Sequence, residues 1–150
     1  MTAHKEGKGD SMKFSEIESA KWEELQPYLD TCLLPVTGMT GLESPAEATR
    51  ALEDLRDIMD GIEIPFKGRV VTYPACHYTG EEEGHSIVEQ LCASLKRTGF
   101  RYIIVVSVRL TNLAPPSADL VFAPAPTGEV PSAVQIGQEI RSMWTPATHV

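Results

Sequence analysis

Basic clusters, a cysteine framework and long apolar runs are all missing from this chain, and each absence closes a class of function. Its 13 Lys and Arg against 21 Asp and Glu leave a net charge of -8, with no Lys/Arg cluster to interrupt it. Such a surface repels a phosphate backbone or an anionic membrane, so nucleic acid is not an expected partner. Cys32, Cys76 and Cys92 are odd in number, widely spaced and in no CxxC arrangement. They form neither a disulfide framework nor a zinc knuckle, and they suit a reducing compartment. No apolar run approaches the roughly 18 residues that cross a bilayer, and residues 1–11 lack the apolar centre of a signal peptide. The expectation is a cytoplasmic protein with no membrane insertion. A disordered leader over 1–11, a single α/β domain over 12–145 and a loose tail over 146–150 are expected.

What is present suffices for a core. A chain of 150 residues, 42% of them hydrophobic, buries roughly 70% of its unfolded surface without a disulfide. Apolar runs over 31–36, 68–73, 101–108 and 119–123 read as buried strands, and segments of helical period alternate with them. That alternation predicts a three-layer α/β sandwich: a small, mostly parallel sheet of about four strands flanked by helices.

The helix starts are legible. Ser15-Glu-Ile-Glu18 reads as a capping box for a first helix that ends at Pro27. Ser44-Pro-Ala-Glu47 combines a cap, a proline at the first helical position and an acid three residues after the cap. Ala48, Leu52, Leu55, Ile58, Met59 and Ile62 follow at helical spacing, with Gly61 offering a left-handed stop. Ser86-Ile-Val-Glu89 opens a third helix with Ile87, Val88, Leu91, Cys92 and Leu95 inward, and Ser132-Ala-Val-Gln135 opens a fourth with Ile136, Ile140, Met143 and Trp144 inward.

Parallel sheets bind ligands beyond the carboxyl ends of their strands. Chemistry is therefore expected in the loops 37–44, 74–85, 107–117 and 124–131. Tyr73 to His85 gathers a thiol, two imidazoles and three carboxylates. Cys76, His77 and His85 are the catalytic candidates, as nucleophile and bases. Against that reading, neighbours on an extended chain point opposite ways, which separates Cys76 from His77. Glu81 to Glu83 are explained by the helix they precede, whose dipole favours negative charge by roughly 0.3–1 kcal/mol each. No rigid metal site follows from this spacing, and no cofactor motif is present: Thr37-Gly-Met-Thr-Gly41 has neither the P-loop lysine nor a GxGxxG. The ligand-binding candidates are Thr37, Thr40, Tyr78, Arg109 and Asn112. Arg109 can clamp a carboxylate or phosphate, or equally pair with one of the many acids.

Asp30-Thr-Cys-Leu-Leu-Pro35, Phe66-Lys-Gly-Arg69 leading to Tyr73-Pro-Ala-Cys-His-Tyr78, and Gly99-Phe-Arg-Tyr102 before an apolar strand together resemble the YpiF-like family of uncharacterised bacterial proteins. The resemblance covers most of residues 12–145. More distantly the chain is similar to creatininase-type amidohydrolases, whose metal ligands follow a Pro-Val-Gly-Ser-x-Glu-x-His-Gly pattern and a later Asn-Gly-His-Gly-Gly-Asn pattern. Leu34-Pro-Val-Thr-Gly-Met-Thr40 occupies the first, which puts Thr40 and Leu42 at the Glu and His positions. Ser107-Val-Arg-Leu-Thr-Asn112 occupies the second and keeps only Asn112. Neither Thr40 nor Leu42 replaces a carboxylate or imidazole at a divalent metal. The resemblance therefore implies a fold whose catalytic metals are gone.

The expected function is that of a non-catalytic or degenerate-enzyme α/β domain that binds a protein or a small ligand. The alternative is an amide or ester hydrolase built around Cys76, His77 and His85 with metal assistance. A third reading is a homo-oligomeric module that pairs through an exposed strand edge.

Overall fold

In the computed structural model, residues 12–13, 19–80, 82–110 and 112–145 are described. The expected leader, the Ser15 capping box, the expected tail, Glu81 and Thr111 lie outside them. In chain order the elements are β1 (Met12–Lys13), α1 (Ser19–Leu25), β2 (Thr31–Met39), α2 (Pro45–Glu63), β3 (Val70–Thr72), β4 (Cys76–Tyr78), α3 (Glu82–Arg97), β5 (Tyr102–Ser107), β6 (Leu120–Phe122) and α4 (Ala133–Trp144).

The sheet is parallel throughout, in the order β1-β3-β2-β5-β6. The α/β sandwich is therefore as the sequence predicts, although six strands are present among the described residues rather than about four. The additional ones are β1 and β4. The latter pairs with Val36 and Met39 of β2, beyond the stretch Thr31–Leu33 that β3 occupies. Thus β3 and β4 run end to end along one edge of β2, interrupted at Pro74, which has no amide to give the ladder.

Alternation along the central strands divides the core in two. Cys32, Leu34, Val36, Ile103 and Val105 pack with Val88, Cys92 and Leu95 of α3, and Trp22 and Leu25 of α1 join them. Leu33, Ile104 and Val106 pack with Leu55, Ile58 and Ile62 of α2 and with Ile136 and Ile140 of α4. Each fully buried aliphatic side chain contributes about 1.5–3 kcal/mol, so these two layers dominate stability. No helix among the described residues is long and apolar enough to cross a membrane.

Helix α2 begins at the predicted capping box: Glu47 N donates to Ser44 Oγ at 3.2 Å and Ser44 N to Glu47 Oε1 at 2.9 Å. It does not stop at Gly61 but runs to Glu63. Gly61 serves packing instead, since a Cβ there would lie 3.3 Å from Ile136 Cδ1 and 3.8 Å from Ala133 Cα. The missing side chain lets α4 approach α2. Helix α3 starts at Glu82, a turn before Ser86, so Glu82 and Glu83 lie inside its first turn rather than upstream of it. The longer helix turns its apolar stripe so that Gly84, Val88, Cys92 and Leu95 are buried, while Ile87, expected inward, is 37% exposed.

At the amino ends of the strands, Asp30 and its immediate partners tie four elements together. Asp30, 9% exposed, accepts from Arg69 Nε at 2.9 Å, Arg69 Nη2 at 3.1 Å and Thr31 Oγ1 at 3.0 Å. Its carbonyl accepts the amides of Arg101 and Tyr102 at the start of β5. Trp144 at the end of α4 donates its indole N–H to Thr31 Oγ1 at 2.9 Å, and the Arg69 guanidinium stacks 4.2 Å from the Trp144 ring centroid. Breaking a buried ion pair costs about 3–5 kcal/mol, and the partial exposure of Arg69 lowers this. Arg69→Ala should therefore lose about 2–3 kcal/mol in urea unfolding, and the double variant Asp30→Asn/Arg69→Met should lose less than Arg69→Ala alone, because no carboxylate is left buried. A loss below about 0.5 kcal/mol for Arg69→Ala would show that Asp30 is hydrated and needs no partner.

Candidate functional site

The chain passes to β3 on one side of β2 and to β5 and β6 on the other, so the carboxyl ends of β2 and β5 form the switch point of the sheet, where crevices open in such folds. On the α3 side this crevice is filled. Gly38 has φ +81°, and a Cβ there would come within 3.0 Å of Leu110 Cγ and of the Leu110 amide nitrogen. A Cβ on Gly84 would meet both Leu110 methyl groups at 3.0 Å. Leu110, 4% exposed, is thus a plug seated between two glycines of different elements.

On the α2 side the crevice is open. A cleft of about 830 Å³ is walled by Arg50 and Asp54 of α2, by Arg109, Leu110 and Asn112 after β5, and by the loop from Ala123 to Gly128 after β6. A second hollow of about 480 Å³, lined by Leu42, Glu43, Glu47, Arg50 and Arg109, adjoins it through the two arginines. Arg109 Nη1 donates to Asp54 Oδ2 at 3.4 Å and to the Val108 carbonyl at 3.1 Å. Among the described residues no acceptor meets its Nε or Nη2. Arg50 Nε stands 3.7 Å from the other Asp54 oxygen. Asn112 has φ +54°, a turn conformation that asparagine tolerates better than most residues.

The sequence-predicted site residues fall into three places. Arg109 and Asn112 line the cleft. Thr40 sits in the loop after β2 and gives its amide and hydroxyl to Glu43 Oε2 at 2.9 and 3.3 Å. Thr37, Cys76, His77 and Tyr78 belong to the β2–β4 pairing. Thr37 is fully buried, and its Oγ1 lies 2.7 Å from His77 Nδ1 in a hydrogen bond whose donor follows the imidazole tautomer. Cys76 is partnered with Val36 and packs into the α3-side core, whereas His77 engages Thr37, the next residue of β2. The two neighbours are therefore turned to opposite faces of the sheet. Tyr78 is 68% exposed, and His85 is half-buried in the first turn of α3. Among the described residues no group of three His, Cys, Asp or Glu side chains is arranged to hold a metal ion.

Three residues of the open site have no sequence motif. Arg50 and Asp54 look like an ordinary i, i+4 surface pair on α2, and only the fold sets Arg109 against them. Glu43 reads as a loop acid, but its carboxylate takes Thr40 N and Gly41 N at 2.9 Å each. Those amides, Thr40's foremost, hold its pKa below the usual carboxylate range.

Burial raises the thiol of Cys76 above its ordinary value, and that of Cys92 is pushed up to about 12 by burial, with the nearby Glu89 adding to it. The thiolate is the reactive form, so both groups are quiet at neutral pH. Iodoacetamide at pH 7.5 should label Cys76 more slowly than free cysteine, with the rate still climbing beyond pH 9. Labelling faster than free cysteine would mark an activated thiol and contradict the burial argument.

Residues 20–112 match the model of a family described as a protein of unknown function, DUF2487. The match takes in Glu43, Arg50, Asp54, Arg109 and Asn112. No curated protein and no solved structure matches the chain. The chain belongs to the DUF2487 family.

Proposed function

We propose that this domain acts by binding rather than by catalysis, and that its ligand is a small molecule bearing a carboxylate or phosphate. The site is the cleft between α2 and the loops that leave β5 and β6. The observation that carries the reading is Arg109: at the switch point of the sheet, with its side chain one-third exposed, it shares the cleft with Arg50 in a chain of net charge -8. The cleft volume of about 830 Å³ lies within the roughly 300–1,000 Å³ of small-molecule sites, which supports a small ligand over a flat protein surface.

The energetics favour ligand capture. The contacts of Asp54 with Arg109 and Arg50, at 3.4 and 3.7 Å and partly exposed, are worth at most about 1 kcal/mol each. A well-aligned bond from a guanidinium to a ligand oxyanion is worth about 1.5–3 kcal/mol. Asp54 therefore holds the guanidiniums in place without saturating them. The loop after β6, with Pro124 and Pro126 in the cleft wall, offers a stiff apolar surface for the body of the ligand.

A hydrolase built on Cys76, His77 and His85 has less support, because the thiol is raised by burial and His77 is turned to Thr37. The likeness to creatininase-type amidohydrolases adds nothing to a catalytic reading. Thr40 is bonded to Glu43, and Leu42 is 90% exposed.

The test is thermal denaturation against a panel of phosphate, citrate, glutarate and nucleotide anions. A ligand at a hundredfold its Kd stabilises by about 2.7 kcal/mol, which is readily measured. Arg109→Gln should weaken the best ligand about tenfold to a hundredfold, in line with the loss of one charge-assisted bond, and Cys76→Ala should leave it unchanged. If no anion raises the Tm, or if Arg109→Gln binds as well as the wild type, the reading is wrong.

A further inference from the structure

The loop after β2 already holds a carboxylate, and the carboxylate is the protein's own. Thr40 N donates to Glu43 Oε2 and Gly41 N to Glu43 Oε1, each at 2.9 Å, and Thr40 Oγ1 adds a third bond at 3.3 Å. Two successive amides each take one oxygen of a planar group, which is the geometry of a bidentate carboxylate site. Gly41, at φ +97°, makes the turn that aims both amides the same way. This cradle is separate from the start of α2, whose end is closed by the reciprocal bonds of Ser44 and Glu47.

A second observation ties the cradle to the arginines. Glu43 and Arg109 line the same hollow, and that hollow joins the larger cleft through Arg50 and Arg109. We propose that Glu43 is an internal stand-in for the ligand, and that the ligand is a small dicarboxylate. One carboxylate replaces that of Glu43 on the Thr40 and Gly41 amides, and the other reaches Arg109. This inference rests on the anion-cleft reading given above and narrows it.

Glu43 is well suited to yield. It is partly exposed at the rim, so its carboxylate exchanges protein amides for water when displaced. The amides, by contrast, are fixed by the backbone and stay in place for whichever carboxylate is present. Leu42, 90% exposed beside the cradle, offers apolar contact to a methylene chain between two carboxylates.

The experiment is a titration of the full chain and of Glu43→Ala with glutarate, acetate and sulfate, followed through the backbone amides of Thr40 and Gly41 and the side-chain Nε of Arg109 by nuclear magnetic resonance. The tethered Glu43 carboxylate competes for the same amides, so Glu43→Ala should bind glutarate tighter than wild type, by about threefold or more. Glutarate should shift both amides together with Arg109 Nε, and acetate and sulfate should bind more weakly. Glu43→Gln, which preserves the side-chain shape, should move in the same direction if the alanine variant loosens the loop. If glutarate shifts Arg109 but neither amide in both variants, with unchanged affinity, the cradle is only a stiffened turn and the cleft reading survives. If neither Arg109 nor the amides respond in any of the three proteins, both readings fall. Sulfate binding as tightly as glutarate would overturn the dicarboxylate assignment.

Discussion

The Asp30 carboxylate is the constraint on which the rest of the molecule depends. It lies just before β2, a strand paired on both edges, and it accepts from the Arg69 side chain ahead of β3, while the backbone carbonyl of Asp30 takes the amides of Arg101 and Tyr102 at the start of β5. A buried ion pair adds little net stability compared with apolar packing, but a mispaired one is costly. Its consequence is therefore register. Slipping β2 by one residue would bury an unpaired carboxylate and exchange the faces of Leu33 and Leu34. The stacking of Arg69 on Trp144 extends the same constraint to α4, so the last helix is docked by the first long strand.

With the amino ends of the strands fixed, the carboxyl ends differ in the state of their charges. At Asp30 the guanidinium is held by short bidentate bonds and by an aromatic face. At Arg109 the partner carboxylate stands at 3.4 Å and is shared with Arg50. The first carboxylate is committed to one guanidinium through two short bonds, and the second is divided between two arginines at longer range. Leu110 completes the contrast by closing the α3 side of the switch point, so that the α2 side is the one that opens on solvent.

Much of the fold was legible in the sequence because local rules and burial agreed. The cap at Ser44, the cap at Ser132 and the apolar run of β5 each carry their signal within a few residues. Gly61 misled because a glycine in a helix reads as a stop, and only the approach of Ile136 from 75 residues away gives it another purpose. The site was less legible for the same reason. Arg109 and Asn112 could be named from their place after a central strand, yet Arg50, Asp54 and Glu43 resemble solvated charges until the fold brings α2 and the β2 loop beside them. The cluster Cys76, His77 and His85 was conspicuous by proximity in the chain, while alternation along β4 sends its first two members to opposite faces.

The central claim is that an oxyanion belongs between Arg50 and Arg109. Anomalous diffraction from crystals soaked in selenate tests it most directly, because selenium reports its own position. The account predicts a selenium peak within hydrogen-bonding reach of Arg109 Nε or Nη2 and none at Arg69, whose charge is already matched by Asp30. A peak at Arg69 with an empty Arg50–Arg109 cleft would contradict it.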